Sequence, residues 1–124
     1  MSFHRFTVIA VFSLVVLLTW TTTAASRNRY GAISYSRSTG RSGAAAGFST
    51  QAAANQAAAN SCYNKGGGRD CYQFIIHFNN TCAALAVGRN GASAYGYGQN
   101  RSTAEQQALS KCYGCGIVAW GCSK

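Results

Sequence analysis

The sequence predicts an α+β domain of two pseudo-symmetric strand–strand–helix–strand repeats. An antiparallel sheet is covered by two short Ala-rich helices, and the whole is stapled by disulfides. Three observations carry this expectation. First, an offset of 50 residues lays Cys62 on Cys112, Ala54 on Ala104, Gln56 on Gln106 and Ala58 on Ala108. Second, each Ala/Gln-rich run follows a residue suited to capping a helix, Thr50 in one copy and Asn100 in the other. Third, a chain of only 124 residues carries six Cys and no Pro, the usage of a small cross-linked exported domain.

In chain order, residues 1–25 read as a leader. Arg5 precedes an apolar run from Val8 to Leu18, and small residues ending at Ala25 follow. That is the pattern of a cleaved secretory signal peptide. The run is shorter than the roughly 20 apolar residues a spanning helix needs. The expected mature chain, 26–124, is a single secreted domain with repeats at 30–82 and 83–124. It keeps ten basic residues against Asp70 and Glu105, a net charge of +8. Two acidic residues cannot build a carboxylate metal cage, and the length excludes a mid-sized enzyme fold.

Within the mature chain, Ala32-Ile33-Ser34-Tyr35 parallels Ala84-Leu85-Ala86-Val87. Phe74–Phe78 before Cys82 parallels Ile117–Trp120 before Cys122. Helices are expected over 51–61 and 101–111, where Ala and Gln favour the helix. Ala53, Ala54, Ala57 and Ala58 form one stripe, and Ala104, Ala108 and Leu109 form the other. A period of two over 93–98 puts Ala94, Gly96 and Gly98 on one face, where a helix can approach, and Tyr95 and Tyr97 on the other. Large core residues are few: Ile33, Phe48, Phe74, Ile75, Ile76, Phe78, Leu85, Val87, Leu109, Ile117, Val118 and Trp120. So thin a core benefits from covalent staples. If the halves are copies, equivalent Cys pair alike. Cys62–Cys71 then matches Cys112–Cys115, and Cys82 joins Cys122 across the pseudo-twofold.

These residues resemble the secreted bacterial proteins grouped as domain of unknown function 4189. The resemblance rests on Tyr30-Gly31-Ala32-Ile33-Ser34-Tyr35-Ser36, the capped helix ending in Cys62, and Cys82-Ala83-Ala84-Leu85-Ala86. The second helix ending in Cys112 and Ile117-Val118-Ala119-Trp120-Gly121-Cys122 complete it. It covers Tyr30–Cys122. The family's Trp-rich second strand is here Gly43-Ala44-Ala45-Ala46-Gly47-Phe48. The resemblance implies a small exported α+β domain without established catalytic residues.

Cys112-Tyr113-Gly114-Cys115 could be a redox pair, half a zinc site or a short staple. It ends a helix instead of opening one and has no second C-x-x-C beside it, so it reads as a staple. His77 shares a strand face with Ile75, and no spacing supplies it with a nucleophile, so it reads as a sheet histidine. Gly66-Gly67-Gly68-Arg69 lacks the Lys-Ser/Thr ending of a phosphate loop and reads as a loop between Cys62 and Cys71. Asn79-Asn80-Thr81 and Asn100-Arg101-Ser102 are glycosylation sequons, relevant only in a eukaryotic secretory route. No cofactor or metal is expected.

The binding surface expected from the sequence is Tyr35, Tyr95 and Tyr97 with Arg37, Arg41, Arg89 and Arg101. Basic residues interleaved with aromatics suit anionic polymers or lipid surfaces. The functional expectation is therefore a secreted or periplasmic cationic binding module, not an enzyme. The alternative is a factor with one dedicated protein partner: an inhibitor, an immunity protein or a virulence protein.

Overall fold

The structure is a computed structural model and describes residues 28–124; the expected leader lies outside the described residues. Six strands and two helices follow one another in two equal series. The first is β1 (Tyr30–Tyr35), β2 (Ser42–Phe48), α1 (Gln51–Asn64), a 3-10 turn (Arg69–Tyr72) and β3 (Ile75–Asn79). The second is β4 (Cys82–Val87), β5 (Ser93–Gly98), α2 (Arg101–Ser110) and β6 (Gly116–Cys122). All strand pairings are antiparallel, in the orders β2-β1-β3 and β5-β4-β6. The fold is thus α+β, and the repeat is structural.

Both helices start where the caps predict. Thr50 Oγ1 accepts from the Ala53 N–H at 3.2 Å, and Asn100 Oδ1 accepts from the Thr103 N–H at 2.8 Å. Such a cap contributes about 1 kcal/mol. The first helix runs three residues beyond Ser61, to Asn64, and the second ends at Ser110. Ala54 and Ala58 of α1 pack on Ala32 of β1. Ala104 and Ala108 of α2 pack on Ala84 and Ala86 of β4. The small-residue faces of β2 and β5 let the helices sit close. A Cβ on Gly43 would collide with Ala58 O and Cys62 N, and one on Gly96 with Ala108 N and Ala104 O.

The layering departs from a sheet simply covered by helices. There are two sheets, and they face each other. Ile33, Tyr35, Ile76 and Phe78 of one meet Ala83 and Leu85 of the other. The order of layers is helix, sheet, sheet, helix. The cause is visible in the central strands. Alternate residues of β1 and β4 are all nonpolar or small, so both strands are buried on both faces. The Phe78 ring fills the middle, and glycines leave it room: a Cβ on Gly31 would strike the ring, and one on Gly121 would sit 2.9 Å from it. Full burial of Ile33 and Leu85 stabilises by roughly 1.5–3 kcal/mol each. Leu109, Val118 and Trp120, expected among the core residues, are instead about two-fifths exposed. Val118 and Trp120 lie on the edge strand β6 along its groove with β2, and Leu109 lies off the buried Ala104–Ala108 stripe of α2.

The disulfides are Cys62–Cys71, Cys82–Cys122 and Cys112–Cys115. The pairs match the expected ones, but the geometry of one does not. Cys82 opens β4 and faces Cys122 at the end of β6, in the same sheet. It therefore ties strands of one half instead of crossing the pseudo-twofold. The halves divide at the Asn80–Thr81 turn, where Asn80 takes a φ of 54°. Register sets Tyr30 opposite Asn79 at the equivalent place of the first sheet, so that staple has no counterpart.

Candidate functional site

The Ser36–Arg41 turn between β1 and β2 is built around Asp70. The Ser36 hydroxyl donates to Asp70 Oδ1 at 2.6 Å. The Ser38 N–H donates to Oδ2 at 2.9 Å, and the Ser38 hydroxyl to Oδ1 at 3.1 Å. Ser36 Oγ also accepts from Thr39 Oγ1 at 2.8 Å and from the Gly68 N–H at 3.1 Å. The Ser36 bond first, then the Ser38 N–H, holds the Asp70 carboxyl below its ordinary value. One of the two acidic side chains is thus engaged by hydroxyls and amides, not by a cation.

This locked turn presents Arg37. Its guanidinium lies 4.7 Å from the centroid of the Phe74 ring, and Nη2 reaches Ser93 Oγ at 3.5 Å. Phe74 meets Tyr35 edge-on, with centroids 6.0 Å apart. From the second half, Lys111 follows the last turn of α2, and its Nζ donates to the Tyr95 carbonyl at 3.2 Å. Tyr95 and Tyr97 meet edge to face at 5.7 Å, and the Tyr97 hydroxyl donates to the His77 carbonyl at 2.8 Å. Burial first, and the neighbouring Tyr95 second, raise the Tyr97 phenol above its ordinary value. Together Arg37, Phe74, Ser93, Ala94, Tyr95 and Lys111 line an open cleft of about 460 Å³ at the β3–β5 side of the sandwich.

The repeat should place an equivalent cleft at the β2–β6 side. Register aligns Ser42, Gly43 and Ala44 with Ser93, Ala94 and Tyr95. There the groove against Val118–Trp120 is only about 210 Å³. Ala44 stands where the second half has Tyr95, and Ser42 Oγ donates across to the Val118 carbonyl at 3.2 Å. The two edges approach each other there, with Trp120 of β6 beside Ala44 of β2.

The seven surface residues expected from the sequence separate accordingly. Tyr35 is a correction: it is 8% exposed and belongs to the core, because its strand face meets the second sheet. Tyr95 and Tyr97 are 46% and 42% exposed, and Arg37 and Tyr95 line the cleft. Arg101 lies elsewhere, 4.2 Å from the Trp120 ring and 2.6 Å from Glu105 Oε1. Arg41 and Arg89 are exposed beside turns, outside the cleft. Phe74, Ser93, Ala94 and Lys111 complete the cleft, and none of the four was expected at a binding surface. The exposed His77 and the Cys112–Cys115 staple lie outside it. Among the described residues no three His, Cys, Asp or Glu side chains gather as a metal site, and no helix is long and apolar enough to cross a membrane.

No curated protein matches this chain. Among solved structures, it is similar to the NMR structure of Rv1813c from Mycobacterium tuberculosis, at 34% identity and a TM-score of 0.61. The match covers 77% of this chain and 75% of that one. A family model described as domain of unknown function (DUF4189) matches residues 30–122. With its repeated strand–strand–helix–strand units capped and stapled as described, the chain belongs to the DUF4189 family.

Proposed function

We propose that this protein is an exported, cationic binding module that contacts an anionic macromolecule or surface and carries no catalytic machinery. One observation carries the reading: the positive charge is not cancelled inside the fold. All nine Lys and Arg among the described residues are exposed. The one ion pair among them is Arg101–Glu105, and Asp70 is engaged by Ser36 and Ser38. A surface so charged attracts polyanions and raises their encounter rate. Three disulfides in one small domain support an oxidising compartment, hence a secreted or periplasmic location.

Retention on heparin and on anionic vesicles tests this reading. Counterion release requires affinity to fall steeply between about 50 and 200 mM salt. Retention unchanged across that range would rule the reading out. The half-exposed Tyr95 and Trp120 favour a second reading, a dedicated protein partner gripped through aromatic anchors. A single stoichiometric complex that resists high salt would favour it over the first.

A further inference from the structure

The β3–β5 cleft combines two chemistries in one space. Arg37 comes from the first half and Lys111 from the second, and no Asp or Glu lines the cleft. Lys111 Nζ uses one of its three donors on the Tyr95 carbonyl. The Arg37 contact to Ser93 is long, at 3.5 Å, and leaves the other guanidinium donors open. Two aromatic rings, Phe74 and Tyr95, line the cleft together with the two cations. One face of Phe74 is occupied by Arg37, whereas Tyr95 is 46% exposed. A volume of about 460 Å³ lies in the range of small-ligand sites, roughly 300–1,000 Å³.

Few ligands use both features. A bare inorganic anion would leave the tyrosine ring wet. A sulfated sugar would bring many hydroxyls to a cleft whose lining offers the Ser93 and Tyr95 hydroxyls. An acyl chain would strand the two cations. A nucleotide matches both, with a flat ring beside a phosphate. We infer that the cleft is a nucleotide subsite for single-stranded nucleic acid: a phosphate lies between Arg37 and Lys111, and its base stacks on Tyr95. This rests on the proposed polyanion reading and narrows it to one class of polymer.

The assay is fluorescence anisotropy of the purified, oxidised protein with a labelled dT12. It is compared with an abasic twelve-mer that keeps every phosphate and lacks every base. Stacking one base on an aromatic ring makes dT12 bind roughly five- to a hundredfold more tightly. Tyr95→Phe keeps that preference, and Tyr95→Ala abolishes it while heparin retention stays intact. Arg37→Ala and Lys111→Ala weaken both oligomers alike and lower the salt slope by about one each. Equal binding of the two oligomers by the unmodified protein overturns the assignment without any variant having to fold. So does a Tyr95→Ala protein that keeps the preference, or displacement of dT12 by equimolar dTMP. If heparin retention stays salt-dependent in those cases, only the cleft assignment falls. If it is salt-independent as well, the polyanion reading falls with it.

Discussion

Gly96 is where the second repeat is most sensitive to a single methyl group. It lies on the face of β5 that meets α2. A Cβ built there would sit 2.6 Å from Ala104 O and from Gln107 Cβ, and closer still to Ala108 N. Ordinary contacts are about 3.5–4.0 Å, so Gly96→Ala must lift α2 by about 1 Å. Two of the obstructing atoms are helix backbone and cannot rotate away. Overpacking costs typically about 1–3 kcal/mol, and the upper end is expected here. For a domain near 100 residues each kcal/mol moves the Tm by about 4–8 °C, so the loss should be roughly 10–20 °C. Thermal unfolding followed by circular dichroism without reductant measures it. The control is Gly116→Ala, where the new Cβ meets nothing within 4 Å; it should stay within about 0.5 kcal/mol of the parent. Gly43→Ala, where a new Cβ would collide with Ala58 O and Cys62 N of α1, should behave like Gly96→Ala. If Gly96→Ala melted within about 2 °C of Gly116→Ala, the close-approach account of the helix–sheet layers would be wrong.

Two further outcomes follow from the staples and the turn. Replacing Cys82 and Cys122 together by Ser should cost more than replacing Cys112 and Cys115. The first pair is separated by 40 residues and the second by 3, so chain entropy estimates roughly 4 against roughly 2 kcal/mol. Denaturant midpoints in the reverse order would defeat that ranking. Asp70 should make the turn acid-labile. Its folded-state carboxyl titrates below the ordinary 3.8, so its contribution is complete above that value and is lost as the pH falls through the folded pKa. Asp70→Asn should be less stable at neutral pH and should flatten the acid limb of a stability-against-pH curve. An unchanged acid limb would show that the Ser36 and Ser38 bonds contribute nothing.

Much of the fold was legible because its signals are local. The caps at Thr50 and Asn100, the Ala stripes and the small face of β5 each act within a few residues, so pattern alone places them. The Cys pairs were legible through the repeat, although symmetry misplaced Cys82, which begins the second sheet instead of ending the first. The face-to-face packing of the sheets was harder to see. Alternation tells which residues share a face of β1, but not that a second sheet covers that face. That is why Tyr35 was read as surface and lies in the core. Trp120 and Leu109 depart in the opposite sense, since Trp120 sits on an edge strand and Leu109 lies off the buried stripe of α2.

Only Arg37 and Tyr95 of the cleft were expected at a binding surface from the chain. Arg37, Phe74, Lys111 and the β5 pair Ser93 and Tyr95 come from four separate segments, and nothing local in the chain marks them as neighbours. The amino-acid sequence by itself determined the repeated unit, its helices and the excess of positive charge, because each depends on neighbours in the chain or on composition. Tertiary structure alone decided which of two equivalent grooves stays open. Where the open groove has Tyr95, with Tyr97 bridging from β5 to the His77 carbonyl of β3, the narrow one has Ala44 and Ser42 bonded across to the Val118 carbonyl, and these contacts form only between segments distant in the chain.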